Sequence, residues 1–202
     1  MDEIIKKIYD EVYNLFPEDN GEKNLSYVRK NWIFPNHIDI MLELAKKMCE
    51  KYNGDYFICS IAIILHDTGL AYKRDKPSSE GHEQRSIEYS SLILDKYKVD
   101  KKKEILSCIQ ATEPSIEANN INEKIVRSVD AMSQFLSVHF FAKAAFSGDW
   151  DSYINWFEKK VNNNFKKICL NDEINEIKPI KKYMEKIIAE YRKKNSNQNI
   201  AL

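Results

Sequence analysis

The chain has 202 residues, enough for one substantial hydrophobic core. Its 31 basic and 31 acidic residues give a formal net charge of zero, which removes the long-range field that draws basic proteins to nucleic acid or to anionic membranes. Glycine and proline, five each, are scarce for this length, so a sandwich of strands and turns is disfavoured. We therefore expect a small ligand as the partner.

Apolar residues recur at intervals of three or four through most of the chain, which is the pattern of amphipathic helices. This pattern predicts about eight helices, at residues 2–16, 36–52, 55–67, 81–97, 101–112, 122–146, 149–165 and 171–194. Asn36 is the predicted N-cap of the second helix, and a further short helix is expected before Pro35. The third helix is almost entirely apolar, so we expect it at the centre of the molecule.

No internal repeat, low-complexity tract or linker divides the chain. The prediction is an all-α fold, a single compact helical bundle over residues 1–194, with residues 195–202 as a disordered tail. The acidic start of the chain lacks the features of a secretory signal, and the apolar segment Ile58–Leu65 is too short to span a bilayer, so we expect a cytoplasmic protein. The four cysteines are isolated, which favours neither a disulfide framework nor a cysteine zinc site.

His66 and Asp67 end the most apolar segment of the chain. Two polar groups at this position need partners if they are buried. A divalent cation would compensate both, because imidazole nitrogen and carboxylate oxygen are ligands of first-row metals. Taken alone, the pair is more simply explained as a core histidine next to a capping aspartate.

Two further residues favour the metal interpretation. His37 continues the apolar face that includes Met41 and Leu44, so we expect it to point inward. Asp130 lies one turn after Val126, at the edge of the apolar face of its helix, where an isolated carboxylate would also need a partner. Two histidines and two aspartates from three helices would form an open set of nitrogen and oxygen ligands with room for water.

This ordered set resembles the motif of the HD-domain superfamily of metal-dependent phosphohydrolases, in which a histidine, a His-Asp pair and a later aspartate follow one another. The matching residues are His37, His66-Asp67 and Asp130, and the resemblance covers residues 31–140. It implies a helical bundle in which these four residues bind one divalent ion (Mn, Mg, Fe, Co, Ni or Zn). It also implies hydrolysis of a phosphate ester or anhydride of a small molecule, such as a nucleotide, by metal-activated water.

His82 resembles an additional histidine found in many members of this superfamily. It could bind a second ion, contact the substrate phosphate or protonate the leaving oxygen, and we expect one of the last two roles. Members with two ions add a histidine where this chain has Gln110, so one ion is expected here. Some nucleotidase branches have an acidic residue three positions after the His-Asp pair; Leu70 occupies that position, and Glu83 or Glu80 would have to replace it as a catalytic residue.

Basic residues near the His-Asp pair are candidates for binding phosphate. Lys73 and Arg74 lie in the loop that follows the pair, and Arg85 lies one turn after His82. Their charge suits phosphate oxygens. The structural alternatives are a solvated loop for the first two and a local ion pair for Arg85.

The stretch Trp156–Ile168, which extends slightly beyond the helix predicted at 149–165, carries both aromatic residues and lysines. Its aromatic residues recur every three or four positions, so we expect them in the core and the lysines on the solvent-exposed face, which disfavours nucleic-acid binding. His139 lies among bulky apolar residues and is predicted to be a packed core histidine.

An alternative from a different functional class is a noncatalytic ligand-binding or regulatory module that keeps the same fold. The absent second-metal histidine and the absent acidic residue at Leu70 favour this alternative. A purely structural helical scaffold is a third interpretation, and it predicts that no metal is bound.

Overall fold

All regular secondary structure is helical in the computed structural model, which describes residues 2–18, 28–72, 81–145 and 147–198. The all-α prediction is confirmed. Within these ranges no helix is both long and apolar enough to cross a membrane. The α-helices are α1 (Glu3–Leu15), α2 (Lys30–Ile33), α3 (Asp39–Tyr52), α4 (Tyr56–Leu65), α5 (His82–Lys96), α6 (Lys102–Gln110), α7 (Ile121–Phe135), α8 (His139–Ala144), α9 (Trp150–Lys167) and α10 (Asn171–Gln198).

Helix α4 is the buried centre of the fold, as its apolar sequence predicts. Asp55 caps it by accepting hydrogen bonds from the backbone N–H groups of Phe57 and Ile58, at 3.0 and 3.2 Å. Every residue from Ile58 to Leu65 is buried, and the helix packs against α1, α3, α6 and α7. The carboxyl end of α4 therefore delivers the residues that follow it into the interior.

The predicted cap at Asn36 is wrong, because the helix begins earlier. A π turn at Phe34–Ile38 joins α2 directly to α3, and the Asn36 side chain donates to the carbonyl of Trp32 at 3.1 Å instead of capping. Pro35 has no N–H to give to the preceding turn, and a wider turn accommodates that loss within a continuous helix.

The long helix predicted at 122–146 is two helices. The chain leaves helical geometry after Phe135 and resumes it at His139, whose backbone N–H is bound by the Ser137 hydroxyl at 3.2 Å. This local hydrogen bond, which the Ser137 hydroxyl accepts, replaces a helical one and marks the start of a new helix. At the other end of the chain α10 includes residues 195–198, and residues 199–202 lie outside the described ranges.

Candidate metal centre

Four side chains meet where three helical elements converge. His37 lies in the π turn, His66 and Asp67 directly follow α4, and Asp130 lies on α7. The Nε2 atoms of the two histidines are 3.2 Å apart. Oδ2 of Asp67 lies 3.5 and 3.4 Å from the Nε2 atoms of His37 and His66, and Oδ1 of Asp130 lies 3.6 and 3.9 Å from them. The structure brings together all four residues that the sequence singles out as ligands.

Hydrogen bonds fix the orientation of both imidazoles. Nδ1 of His66 donates to the backbone carbonyl of Ile63 at 2.7 Å, because a carbonyl can only accept. Nδ1 of His37 lies 2.7 Å from the hydroxyl of Ser133, which in turn donates to the Asp130 carbonyl. In the neutral rings both Nε2 atoms are therefore unprotonated, and they face each other and two carboxylates. A divalent cation placed between them would be a ligand-binding partner for both nitrogen lone pairs and both carboxylates.

Both carboxylates favour the ionised form that a metal ligand needs. Burial alone would raise the pKa of Asp130, but the ammonium of Lys167, with His66 and His37, lowers it to about 2. Burial acts in the same direction on Asp67. When the imidazoles are protonated, the charge of His66, the hydrogen bond and charge of His37 and the charge of His82 outweigh burial and hold the pKa of Asp67 below its usual range.

The donor set fits a divalent metal ion. His37, His66 and Asp67 each offer one ligand atom within 4.8 Å of the others, and Asp130 adds a second carboxylate. The side chain of Asp67 makes no capping hydrogen bond, so the capping explanation for this residue does not apply. Two nitrogen and two oxygen ligands suit first-row divalent metals and leave coordination positions for water.

A glycine after the His-Asp pair sets the position of α5. The backbone N–H of Gly69 donates to the Ser86 hydroxyl at 2.8 Å. A Cβ atom on Gly69 would overlap the backbone carbonyl of His82 and lie 2.6 Å from the backbone nitrogen of Ser86. The turn Thr68–Leu70 and the first turn of α5 can approach this closely only because residue 69 has no side chain.

His82 and Glu83 begin α5 next to the metal ligands. Nε2 of His82 is 3.7 Å from Oδ1 of Asp67, and its Nδ1 is 3.1 Å from the carboxylate of Glu83. The side chain of His82 is 21% exposed and that of Glu83 is 48% exposed. His82 therefore combines contact with the centre and access from solvent, which its two predicted roles require.

Of the three predicted phosphate-binding residues, the structure describes only Arg85. Nε of Arg85 donates to the Gly69 carbonyl at 2.9 Å, so this arginine also secures the turn against α5. Lys73 and Arg74 lie outside the described residues. We refer to Gly69, His82, Glu83 and Arg85 together as the α5 side of the site.

Two lysines that sequence reasoning missed form the opposite side. The prediction that the lysines of α9 all face solvent is wrong for Lys167, whose ammonium contacts Oδ2 of Asp130 and whose side chain is only 13% exposed. It is wrong also for Lys160, which is partly buried and lies within the field of Asp130 and Asp67. Both lie close to a whole number of turns from buried Tyr153, a spacing that allows them on the buried face of α9 but does not identify the residues they meet on α7.

His139 lies on the same side as these lysines. It is partly buried, packs at 5.9 Å from the Phe140 ring, and its pKa is lowered to about 3 by burial and by the nearby charges of His37 and Lys160. It is thus a packed histidine that borders the metal centre. We refer to His139, Lys160 and Lys167 as the α9 side of the site.

A comparison with protein-family models identifies the region that carries these four residues. Residues 36–134 match the family model of the HD domain, and this range contains all four candidate ligands. Residues 36–134 belong to the HD-domain superfamily. Most HD-domain proteins are metal-dependent phosphohydrolases. No curated protein and no solved structure matches the chain.

The matched HD domain includes the α5 side of the site but stops before α9. The lysines at 160 and 167 therefore belong to a part of the chain that the HD family model does not describe.

Proposed function

We propose that this protein is a metal-dependent phosphohydrolase that cleaves a phosphate ester or anhydride of a small molecule, with nucleotides as candidate substrates. The observation that carries the proposal is the meeting of the Nε2 atoms of two histidines with two buried carboxylates in an HD domain. His37, His66, Asp67 and Asp130 would hold one divalent ion. When bound, the ion supplies Lewis acidity and lowers the pKa of water in the site.

Other groups of the protein orient the four candidate ligands, and His82 is the candidate proton donor to the leaving oxygen. Ser133 and the Ile63 carbonyl fix the two imidazoles, and Lys167 holds one oxygen of Asp130 so that the other faces the histidines. Glu83 lies 3.1 Å from Nδ1 of His82 and would stabilise the protonated imidazolium ring. In that form Nε2–H would contact a phosphate oxygen or pass its proton to the leaving oxygen, and the ring would become neutral.

Asp67→Asn tests the proposal. The variant keeps the shape of the side chain but loses the charge, so the metal content of reconstituted protein, measured by elemental analysis, should fall from one ion per chain toward none. Hydrolysis of a panel of phosphate esters and nucleotides should fall by about a hundredfold or more. Asp100→Asn, at an exposed position, is the matched control. Undiminished hydrolysis by a folded Asp67→Asn protein would contradict the assignment.

A noncatalytic regulatory module is the second candidate. It is favoured by Leu70, a buried apolar residue where some nucleotidase branches have an acidic one. The same panel separates the two functions, since a sensor should bind one of the compounds tightly and release it unchanged, whereas an enzyme should form product with the metal-loaded protein.

A further inference from the structure

Helices α7 and α9 pack in antiparallel register beside the metal centre. Asp130 pairs with Lys167, and one turn further along α7 the Gln134 side chain accepts a hydrogen bond from Asn164 at 2.7 Å. The next position in this register on α9 is Lys160, one turn before Asn164. At that level α7 has already ended, so the register puts no residue of α7 opposite Lys160.

Lys160 makes no hydrogen bond or ion pair within the described parts of the chain, in contrast to Lys167. Its side chain is partly buried, and charges of both signs lie nearby. Burial is the main cause that lowers the pKa of this ammonium; Asp130 is the largest charge effect and opposes it, Lys167 and Lys159 add to it, and Asp67 opposes it. A buried charge without a partner is costly, and an anion that entered the site would stabilise it.

The charges of the site favour one kind of anion. A divalent ion and the carboxylates of Asp67 and Asp130 cancel, which leaves the ammonium groups of Lys160 and Lys167 in excess. Glu83, on the α5 side, is about half exposed and pairs with His82. A terminal phosphoryl group with two negative charges would neutralise the excess, whereas a phosphodiester, with one charge, would leave one ammonium uncompensated.

We propose that Lys160 is a substrate-binding residue that contacts the phosphoryl group at the metal centre and makes the site selective for dianionic terminal phosphates over phosphodiesters. This inference rests on the proposed function for its substrate class, but the anion contact itself can be measured without turnover.

Lys160→Met tests the contact with inorganic phosphate as the probe. Calorimetric titration of the manganese-loaded protein should show phosphate binding weakened about tenfold to a hundredfold, the cost of losing a charged hydrogen bond. Lys159→Met, at an exposed neighbouring position on α9, should bind phosphate like the wild type. Lys160→Arg should recover part of the affinity, because it restores the charge. Metal content, measured in parallel, should be equal in all four proteins.

Turnover tests the selectivity. In Lys160→Met, kcat/KM for p-nitrophenyl phosphate should fall by about tenfold or more, whereas the value for bis(p-nitrophenyl) phosphate should change by less than about threefold. Equal phosphate affinity in Lys160→Met and Lys159→Met, or an equal loss for both esters, would overturn the inference while leaving the proposed function intact. Phosphate binding that depends on Lys160 in a protein without turnover would instead sustain the contact and overturn the proposed function.

Discussion

The α5 side and the α9 side of the site are held in place by different forces. On the α5 side, a glycine allows two backbone segments to touch, and the Ser86 hydroxyl and the Arg85 guanidinium hydrogen-bond to the backbone of that glycine. On the α9 side, a buried ammonium contacts a buried carboxylate, and a second ammonium lies nearby. Backbone packing does not depend on the ion, but buried charges do. The α5 side should therefore be the same with and without metal, whereas the α9 side should respond to metal and to pH.

Gly69→Ala is expected to have the largest effect, because the new methyl group would overlap the first turn of α5. The free energy of unfolding should fall by about 4 kcal/mol, the upper range for a single substitution, in chemical denaturation. The loss should be similar with and without manganese. Gly148→Ala, where a Cβ meets nothing within 4 Å, is the control, and an equally small effect of both substitutions would refute the close-contact explanation.

Lys167→Met should come next, and its effect should depend on metal. In metal-free protein the substitution leaves Asp130 buried without its cationic partner, which should cost about 3 kcal/mol. In manganese-loaded protein the ion compensates that carboxylate, so the loss should be clearly smaller. Thermal unfolding with and without manganese measures the difference, with the exposed Lys166→Met as the control. The same loss in both conditions would mean that Asp130 does not face the ion.

His139→Phe probes the pH response of the α9 side. Burial lowers the pKa of His139 from 6.5 to about 3, so the unfolded chain takes up a proton first and the histidine's contribution to stability is lost as the pH falls below 6.5 toward 3. Wild type should therefore lose about 2 kcal/mol between pH 6.5 and about pH 5 from this group. Unfolding of His139→Phe across that interval should show a flatter dependence, and identical slopes would contradict the assignment.

Arg85→Lys should have the smallest effect. It removes the hydrogen bond from Nε to the Gly69 carbonyl and should lower stability by about 1 kcal/mol. If Arg85 serves only to secure this turn, KM for phosphate esters should stay close to the wild-type value. A rise in KM with unchanged stability would show instead that the predicted phosphate contact is its main role.

The sequence predicts the ligands because each stands in a recognisable local pattern. His66 and Asp67 interrupt an apolar run, and His37 and Asp130 lie on apolar helical faces. Those patterns depend on residues close together in the chain, so they can be recognised without knowledge of the tertiary structure.

The lysines of α9 could not be assigned in the same way. Lys159 and Lys160 are adjacent in the sequence, and only the packing of α9 on α7 decides that the second turns inward. The break at Ser137 was missed for a related reason, since a serine hydroxyl can end a helix or be tolerated within it. In both cases the deciding contact is to a neighbour that the sequence pattern does not identify.

The π turn at Phe34–Ile38 limits how the length of this helix can change. Removing one residue from a helix rotates one half against the other by about 100°. Phe34 packs among the rings of Tyr9, Tyr13 and Phe16, while His37 lies beside His66 in the candidate metal centre. A deletion at Pro35 would restore ordinary helical geometry. It would also rotate either Phe34 away from the aromatic rings or His37 away from the candidate metal centre. Shortened variants should therefore gain local regularity and lose either the aromatic anchor or the capacity to capture an ion.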